Sequence, residues 1–498
     1  MTNLATLLTN ASATAGDHAA IRISGQALTY RQLHGLAAQV AGSLRAAGVE
    51  PGDRVALILP NVPAYPVTFW GALLAGATVV PMNPLLKRGE IEYFFGDSGA
   101  KVAFVWPDFV GEAQAGAAST GTQVIPCTPL GPVEGALPSG TPLAEPTPRE
   151  DQDTAVILYT SGTTGRPKGA ELTNANLRLN AQRSSSAILE IHPEDVLLGA
   201  LPLFHVFGLT VGLLAATNVG ASLAIIPRFD PAVAIETINT EKVSLFLGVP
   251  TMYAAILHHP DAATMDSSSL RACASGGSAM PLEVMRAFEE KFGCIIMEGY
   301  GLSETSPVAS FNLPDRPRKP GTIGVSIPGC EMRCVDLEGN EVPVGEVGEI
   351  AIRGDNVMKG YWRKPEATAE AIPDGWFRTG DLATMDDEGY FTIVDRKKDL
   401  ILRGGMNVYP REVEELLYTH PDVLEAAVVG IPDELLGEQI GAAVALRPGS
   451  TTTPEDLIEW SKERIAAYKY PRSVWIVNEL PKGPTGKILR REVHAPSD

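Results

Sequence analysis

Basic residues are the scarcer charge in this 498-residue chain: 40 Lys and Arg face 59 Asp and Glu, a net charge of −19. That deficit argues against nonspecific nucleic-acid binding and against a polybasic membrane anchor. Any phosphate-bearing ligand must therefore be met by local cations and backbone amides. Cysteine is sparse. Cys127, Cys273, Cys294, Cys330 and Cys334 are scattered without a C-x-x-C pair, which predicts reduced thiols rather than disulfides or a metal site. No Lys or Arg precedes Arg22, so no signal peptide is expected. The ending Ala495-Pro496-Ser497-Asp498 is not a peroxisomal address. Long apolar runs are missing as well. The longest, Leu209 to Pro227, is broken by Thr210, Thr217, Asn218 and glycines and reads as core helix and strand rather than a membrane span. The expectation is a cytoplasmic protein without stable membrane insertion; a homodimer is allowed.

What is present is an alternation of helix-like and strand-like segments. Tyr30 to Ala47 has apolar residues at helical spacing, Arg54 to Leu59 reads as a buried strand, Val67 to Ala75 as a helix, and Ala77–Pro81 and Lys101–Val105 as strands. This rhythm predicts an α/β fold with parallel sheets and packed helices. Cys127 to Glu150, rich in Pro and Gly, reads as an irregular connection. After Gly345 short strands and turns predict a small β subdomain. Asp395-Arg396-Lys397-Lys398-Asp399 is five successive charges, which places it at a surface or an interface. Beyond it come a helix from Arg411 to Tyr418, strands Leu424–Val429 and Ala442–Leu446, a helix from Pro454 to Ile465 and a strand Ser473–Val477. The chain thus reads as a large domain over 1–395 and a small, mobile α+β domain over 396–498.

Five blocks carry chemistry. Tyr159-Thr160-Ser161-Gly162-Thr163-Thr164-Gly165-Arg166-Pro167-Lys168-Gly169 follows an apolar run. Small residues let amides approach an anion, and hydroxyls complete a phosphate cradle. It is not a Walker A loop, because Gly169 stands where Ser or Thr would follow the Lys. Glu298-Gly299-Tyr300-Gly301-Leu302-Ser303-Glu304-Thr305 sets an aromatic between glycines, suited to stacking on a purine, and a carboxylate suited to Mg²⁺. In Trp376-Phe377-Arg378-Thr379-Gly380-Asp381 a carboxylate follows a Gly turn and can accept from ribose hydroxyls. Leu402-Arg403-Gly404-Gly405-Met406 offers close backbone approach. Pro481-Lys482-Gly483-Pro484-Thr485-Gly486-Lys487 presents Lys487 on a stiffened, exposed turn.

Together these blocks resemble, over nearly the whole chain from Leu28 to Lys487, the adenylate-forming (AMP-binding) superfamily of acyl-CoA synthetases, peptide-synthetase adenylation domains and luciferases. The resemblance implies ATP, Mg²⁺ and CoA as the small-molecule partners of a carboxylic acid. It places Thr160, Ser161, Gly162, Thr163, Thr164, Lys168, Gly277, Ser278, Glu298, Gly299, Tyr300, Gly301 and Ser303 at the nucleotide, with Asp381 and Arg396 on the ribose. It puts Mg²⁺ on Glu304 and Thr163. It makes Lys487, Glu304 and His205 catalytic, Gly404 and Gly405 CoA contacts, and Lys398 the hinge. The small domain is implied to rotate between two half-reactions.

The same resemblance places His205, Gly248, Val249, Tyr253, Gly276, Gly299 and Val308 around the acyl group. Amino-acid-activating relatives carry Asp where His205 stands, and malonate-activating ones carry Arg where Gly299 stands. Their absence predicts an open, apolar tunnel. The expected activity is an ATP-dependent, AMP-forming acyl-CoA ligase for medium- or long-chain fatty acids. The alternatives are a 4-coumarate-like aryl acid–CoA ligase and an acyl-AMP ligase that loads a carrier protein.

Overall fold

The structure, a computed structural model, describes residues 3–160 and 166–496. Among these, two large sheets form the body. The eight-stranded sheet runs Gly360–Tyr361, Lys168–Thr173, Thr154–Thr160, Thr78–Pro81, Arg54–Ile58, Ala100–Val105, Gln123–Thr128, Gly131–Pro132, and its middle five strands are parallel. The nine-stranded sheet runs Val325–Ser326, Val308–Phe311, Ile296–Gly301, Ala272–Ser275, Leu245–Gly248, Val196–Gly199, Ser222–Ile225, Ala19–Ile23, Gln26–Thr29, with parallel pairing from Ile296–Gly301 through to Ala19–Ile23. The expected α/β layering is present. In such sheets ligands gather beyond the carboxyl ends of the strands.

Local chemistry explains the elements. The helix Tyr30–Ala46 opens on a reciprocal cap: Thr29 Oγ1 accepts the Gln32 amide, and Gln32 Oε1 accepts the Thr29 amide. The next helix is Ala64–Leu74, all of it buried, so it is apolar on every side. It starts earlier than the expected Val67. Pro66 lies in its first turn, where an amide hydrogen has no intrahelical partner to lose. The apolar tract after Leu209 lies in helical turns Phe207–Leu214 and Ala215–Val219 and the strand Ser222–Ile225. No described helix is long and apolar enough to cross a membrane.

An antiparallel four-stranded sheet (Cys330–Val335, Gly348–Gly354, Phe377–Met385, Phe391–Arg396) follows. The chain leaves it at Arg396 and enters a five-stranded sheet at Ile401–Arg403, continuing through Met406–Val408, Val423–Asp433, Gly437–Leu446 and Ser473–Val477. Helices Pro410–Tyr418 and Pro454–Lys462 accompany this sheet. Its central hairpin extends the expected strands to Asp433 and back to Gly437. Gly430–Pro432, beyond the expected strand end at Val429, pairs with Ile440, Gln439 and Glu438.

Candidate active site

A cleft of about 1560 Å³ opens where the strand ends of both large sheets face the four-stranded sheet and the last lobe. Segments far apart in sequence meet there. Thr160 and Lys168 come from one sheet, Ser275–Ser278 and Glu298–Glu304 from the other, Thr379–Asp381 and Asp395–Asp399 from the four-stranded sheet and its exit, and Lys487–Arg491 from the C-terminal loop. Ser161, Gly162, Thr163 and Thr164 lie outside the described residues.

Glu304 is only 8% exposed. Its Oε1 accepts from Thr160 Oγ1 at 3.2 Å and from the Tyr361 hydroxyl at 3.0 Å. Burial holds its carboxyl above the usual range. Glu298 is pushed up to about 7, again by burial, while Gly321 donates its amide to Oε2. Tyr300 donates to Asp381 Oδ2 at 2.6 Å, and Arg396 Nε lies 3.1 Å from Asp381 Oδ1. Gly380, at φ +74, lets the chain turn at Asp381, and the Gly380 amide donates to Glu349 Oε1. Lys168 sits with Nζ 5.1 Å from the centre of the Tyr361 ring.

Lys487 is half-buried in the cleft, not on the exposed turn its Pro/Gly setting predicts. The turn is closed internally: Gly483 donates to the Lys487 carbonyl at 2.8 Å and Gly486 to the Gly483 carbonyl at 2.9 Å. Burial and then the neighbouring Arg396 pull its ammonium down to about 8, opposed by Asp381. His205 is pulled down to about 4 by burial and by Lys487. Its Nδ1 accepts the Phe207 amide at 3.4 Å, so the neutral ring carries its proton on Nε2.

Several expected acyl contacts line the cleft: His205, Val249, Gly276, Gly299 and Val308. Tyr253 and Gly248 do not. The Tyr253 ring is fully buried against Phe246 and Phe288, with its hydroxyl donating to the carbonyls of Phe246 and Ala274. A Cβ on Gly248 would meet those same rings, so this glycine faces the core. The space beside Gly299 is not open either. A Cβ there would lie 2.4 Å from Phe311 Cδ2, because strand register sets Phe311 opposite Gly299. Phe207 similarly flanks Gly276 at 3.2 Å. Phe207, Phe311 and Tyr361 are contacts that motif reading misses.

Gly277, Ser278, Gly301, Ser303 and Lys398 also line the cleft. Gly404 and Gly405 do not; they are exposed at the edge of the last lobe, where the Gly404 amide donates to Leu436. Asp395, in the charge run expected at a surface or an interface, lies at an interface with the last lobe. It is 3% exposed, and Arg490 Nη1 at 2.9 Å and the Arg411 amide satisfy its carboxylate.

This arrangement can hold a polyanion among Lys168, Arg396 and Lys487 beside a buried carboxylate, with an apolar wall next to a neutral imidazole. Residues 8–362 match the AMP-binding enzyme family, and 412–487 match the AMP-binding enzyme C-terminal domain. The chain belongs to the AMP-binding enzyme family. This AMP-binding enzyme is 37% identical to a long-chain-fatty-acid–CoA ligase of Bacillus subtilis (98% of this chain, 94% of the relative). It is 41% identical to a feruloyl-CoA synthase of Amycolatopsis (95% of each). Among solved structures it resembles ATP-bound MatB from Rhodopseudomonas palustris at 33% identity and a TM-score of 0.90, covering 99% of this chain and 98% of that one. It is an AMP-forming acid–CoA ligase that uses ATP, Mg²⁺ and CoA. The donor set fits the metal: Glu304 offers carboxylate oxygen beside the Thr160 hydroxyl, the hard oxygen chemistry Mg²⁺ prefers.

Proposed function

We propose that this ligase activates an uncharged, apolar monocarboxylic acid, with medium- or long-chain fatty acids as its main substrates. The observation that carries this reading is the cleft wall beside His205. Leu201, Phe204, Val206 and Phe207 are apolar, and His205 itself stays neutral at physiological pH. No cation stands at Gly299 to pair a second carboxylate, and no anion stands at His205 to pair an amine. Each buried methylene contributes roughly 0.8 kcal/mol, so chain length is discriminated steeply. A second reading, an aryl acid, is favoured by the Phe207 and Phe311 rings flanking Gly276 and Gly299 and by the likeness to feruloyl-CoA synthase.

In the first half-reaction an oxygen of the acid attacks the α-phosphorus of ATP. The bond to the bridging oxygen breaks and pyrophosphate leaves. Lys487 offers its ammonium to the charge that builds on the phosphoryl oxygens, and Lys168 faces the departing group. Asp381 and Arg396 orient the ribose, and Tyr300 backs the base. Glu304 would hold Mg²⁺, which when bound draws charge from the phosphates. In the second half-reaction the CoA thiolate attacks the acyl carbonyl and AMP departs. We place the junction of a 1–395 lobe and a 396–498 lobe at Asp395–Asp399, with Lys398 as pivot. Rotation there would bring the now-distant Gly404 and Gly405 to the cleft for CoA. The cytoplasm supplies all three substrates.

AMP release measured across saturated fatty acids, dicarboxylic acids, amino acids and aryl acids tests this. The expected result is turnover with apolar monoacids only. Preference for a dicarboxylic or amino acid would refute the substrate class.

A further inference from the structure

Thr251 lies in the first turn of the helix Pro250–His258, in the large lobe, 235 residues before the loop it touches. Its hydroxyl donates to the carbonyl of Gly486 at 2.9 Å. Gly486 immediately precedes Lys487. It adopts φ +81, and a Cβ there would sit 3.0 Å from Thr251 Oγ1 and 3.3 Å from Val249 Cγ2. The close approach therefore favours a glycine at 486. The loop is already tied to itself between Gly483 and Lys487, so fixing one carbonyl fixes the direction in which Lys487 leaves it.

Resting on the two-step reading above, we propose that Thr251 is a positioning residue that latches the Lys487 loop over the cleft for the adenylation step and releases it for thioester formation. The two partners belong to different lobes. Rotation of the small lobe breaks the bond, so it stabilises one of the two arrangements and not the other. An interaction made in one state shifts the balance by its full net contribution. For a hydrogen bond that is about two- to tenfold. In this latched arrangement burial and then the neighbouring Arg396 lower the pKa of the Lys487 ammonium.

The test compares Thr251→Val, which keeps shape and removes the donor, with Thr251→Ser, which keeps the donor. Two rates are read: single-turnover pyrophosphate release from saturating ATP and fatty acid, and thioester formation from supplied acyl-AMP and CoA. The expected result is pyrophosphate release slowed about two- to tenfold in the Val variant. KM for the acid should be unchanged, thioester formation equal to or faster than wild type, and the Ser variant near wild type. Equal loss in both half-reactions, unchanged pyrophosphate release, or a rise in the acid's KM alone overturns the latch. The last outcome would make Thr251 part of the acyl wall. Wild-type protein that releases no pyrophosphate with any acid refutes the ligase reading itself, a failure separate from any difference between the variants.

Discussion

On the proposed mechanism Lys487 is the residue on which the chemistry turns, and its surroundings set a pH limit. The ammonium is the useful form, and in the free enzyme it is lost near pH 8. The pH dependence of kcat/KM reports free-enzyme groups. For pyrophosphate release, kcat/KM should therefore be level below about 8 and fall above it, and Lys487→Arg should move that limb upward by more than one unit. Lys487→Ala should cut pyrophosphate release by about 10³-fold or more, by comparison with other mobile cations on phosphoryl groups, while thioester formation from supplied acyl-AMP persists. Glu298 gives a stability counterpart. Its folded carboxyl holds a proton up to about 7, against an ordinary value of 4.5. The stabilising proton is fully bound below 4.5 and lost as pH rises through about 7, so the protein should be more heat-stable at pH 5 than at pH 8 on this account. Melting curves of Glu298→Gln should show a smaller difference between those two pH values. Described residues of four of the five chemical blocks meet at the cleft, and these were legible in sequence because turns carry them. Tyr361 was not, because only the fold brings its hydroxyl to Glu304, 57 residues away.

At the scale of elements, strand register shapes the proposed acyl site. Glycine at 299 reads in sequence as an open tunnel. The antiparallel pairing of Ile296–Gly301 with Val308–Phe311 instead sets a phenyl ring on that glycine. Register depends on the turn between the strands, which composition does not reveal, and this is why the ring was hidden while the parallel α/β layering was plain from the alternating pattern. Phe311→Ala should lengthen the space and raise kcat/KM for the longest acids relative to the shortest. About 0.8 kcal/mol per newly accommodated methylene corresponds to roughly fourfold each. The ring is 5% exposed, so a lower melting temperature should accompany the change. Gly299→Ala should act in the opposite direction, since its methyl would collide with Phe311. An unchanged chain-length profile in both variants would remove Phe311 from the acyl wall.

Across the whole molecule an excess of acid coexists with a cleft that gathers cations, and the junction between lobes joins the two. Arg490, from the C-terminal loop, pairs with Asp395 at the end of the four-stranded sheet, with Asp399 beyond it and with Glu414 on the helix Pro410–Tyr418. One guanidinium, three residues after Lys487 in sequence, therefore ties the exit strand, the connecting segment and the small lobe together. Asp395 is almost wholly enclosed. Removing Arg490 leaves a buried carboxylate without its main partner, which in comparable sites costs about 3 kcal/mol or more, whereas removing both charges spares that cost. Arg490→Gln should lower the melting temperature of the C-terminal lobe and slow pyrophosphate release, because the Lys487 loop loses its anchor. The Asp395→Asn, Arg490→Gln double variant should recover most of the stability but less of the rate. Recovery of both together would mean that the network supports folding alone. Recovery of neither would place the anchor elsewhere along the junction.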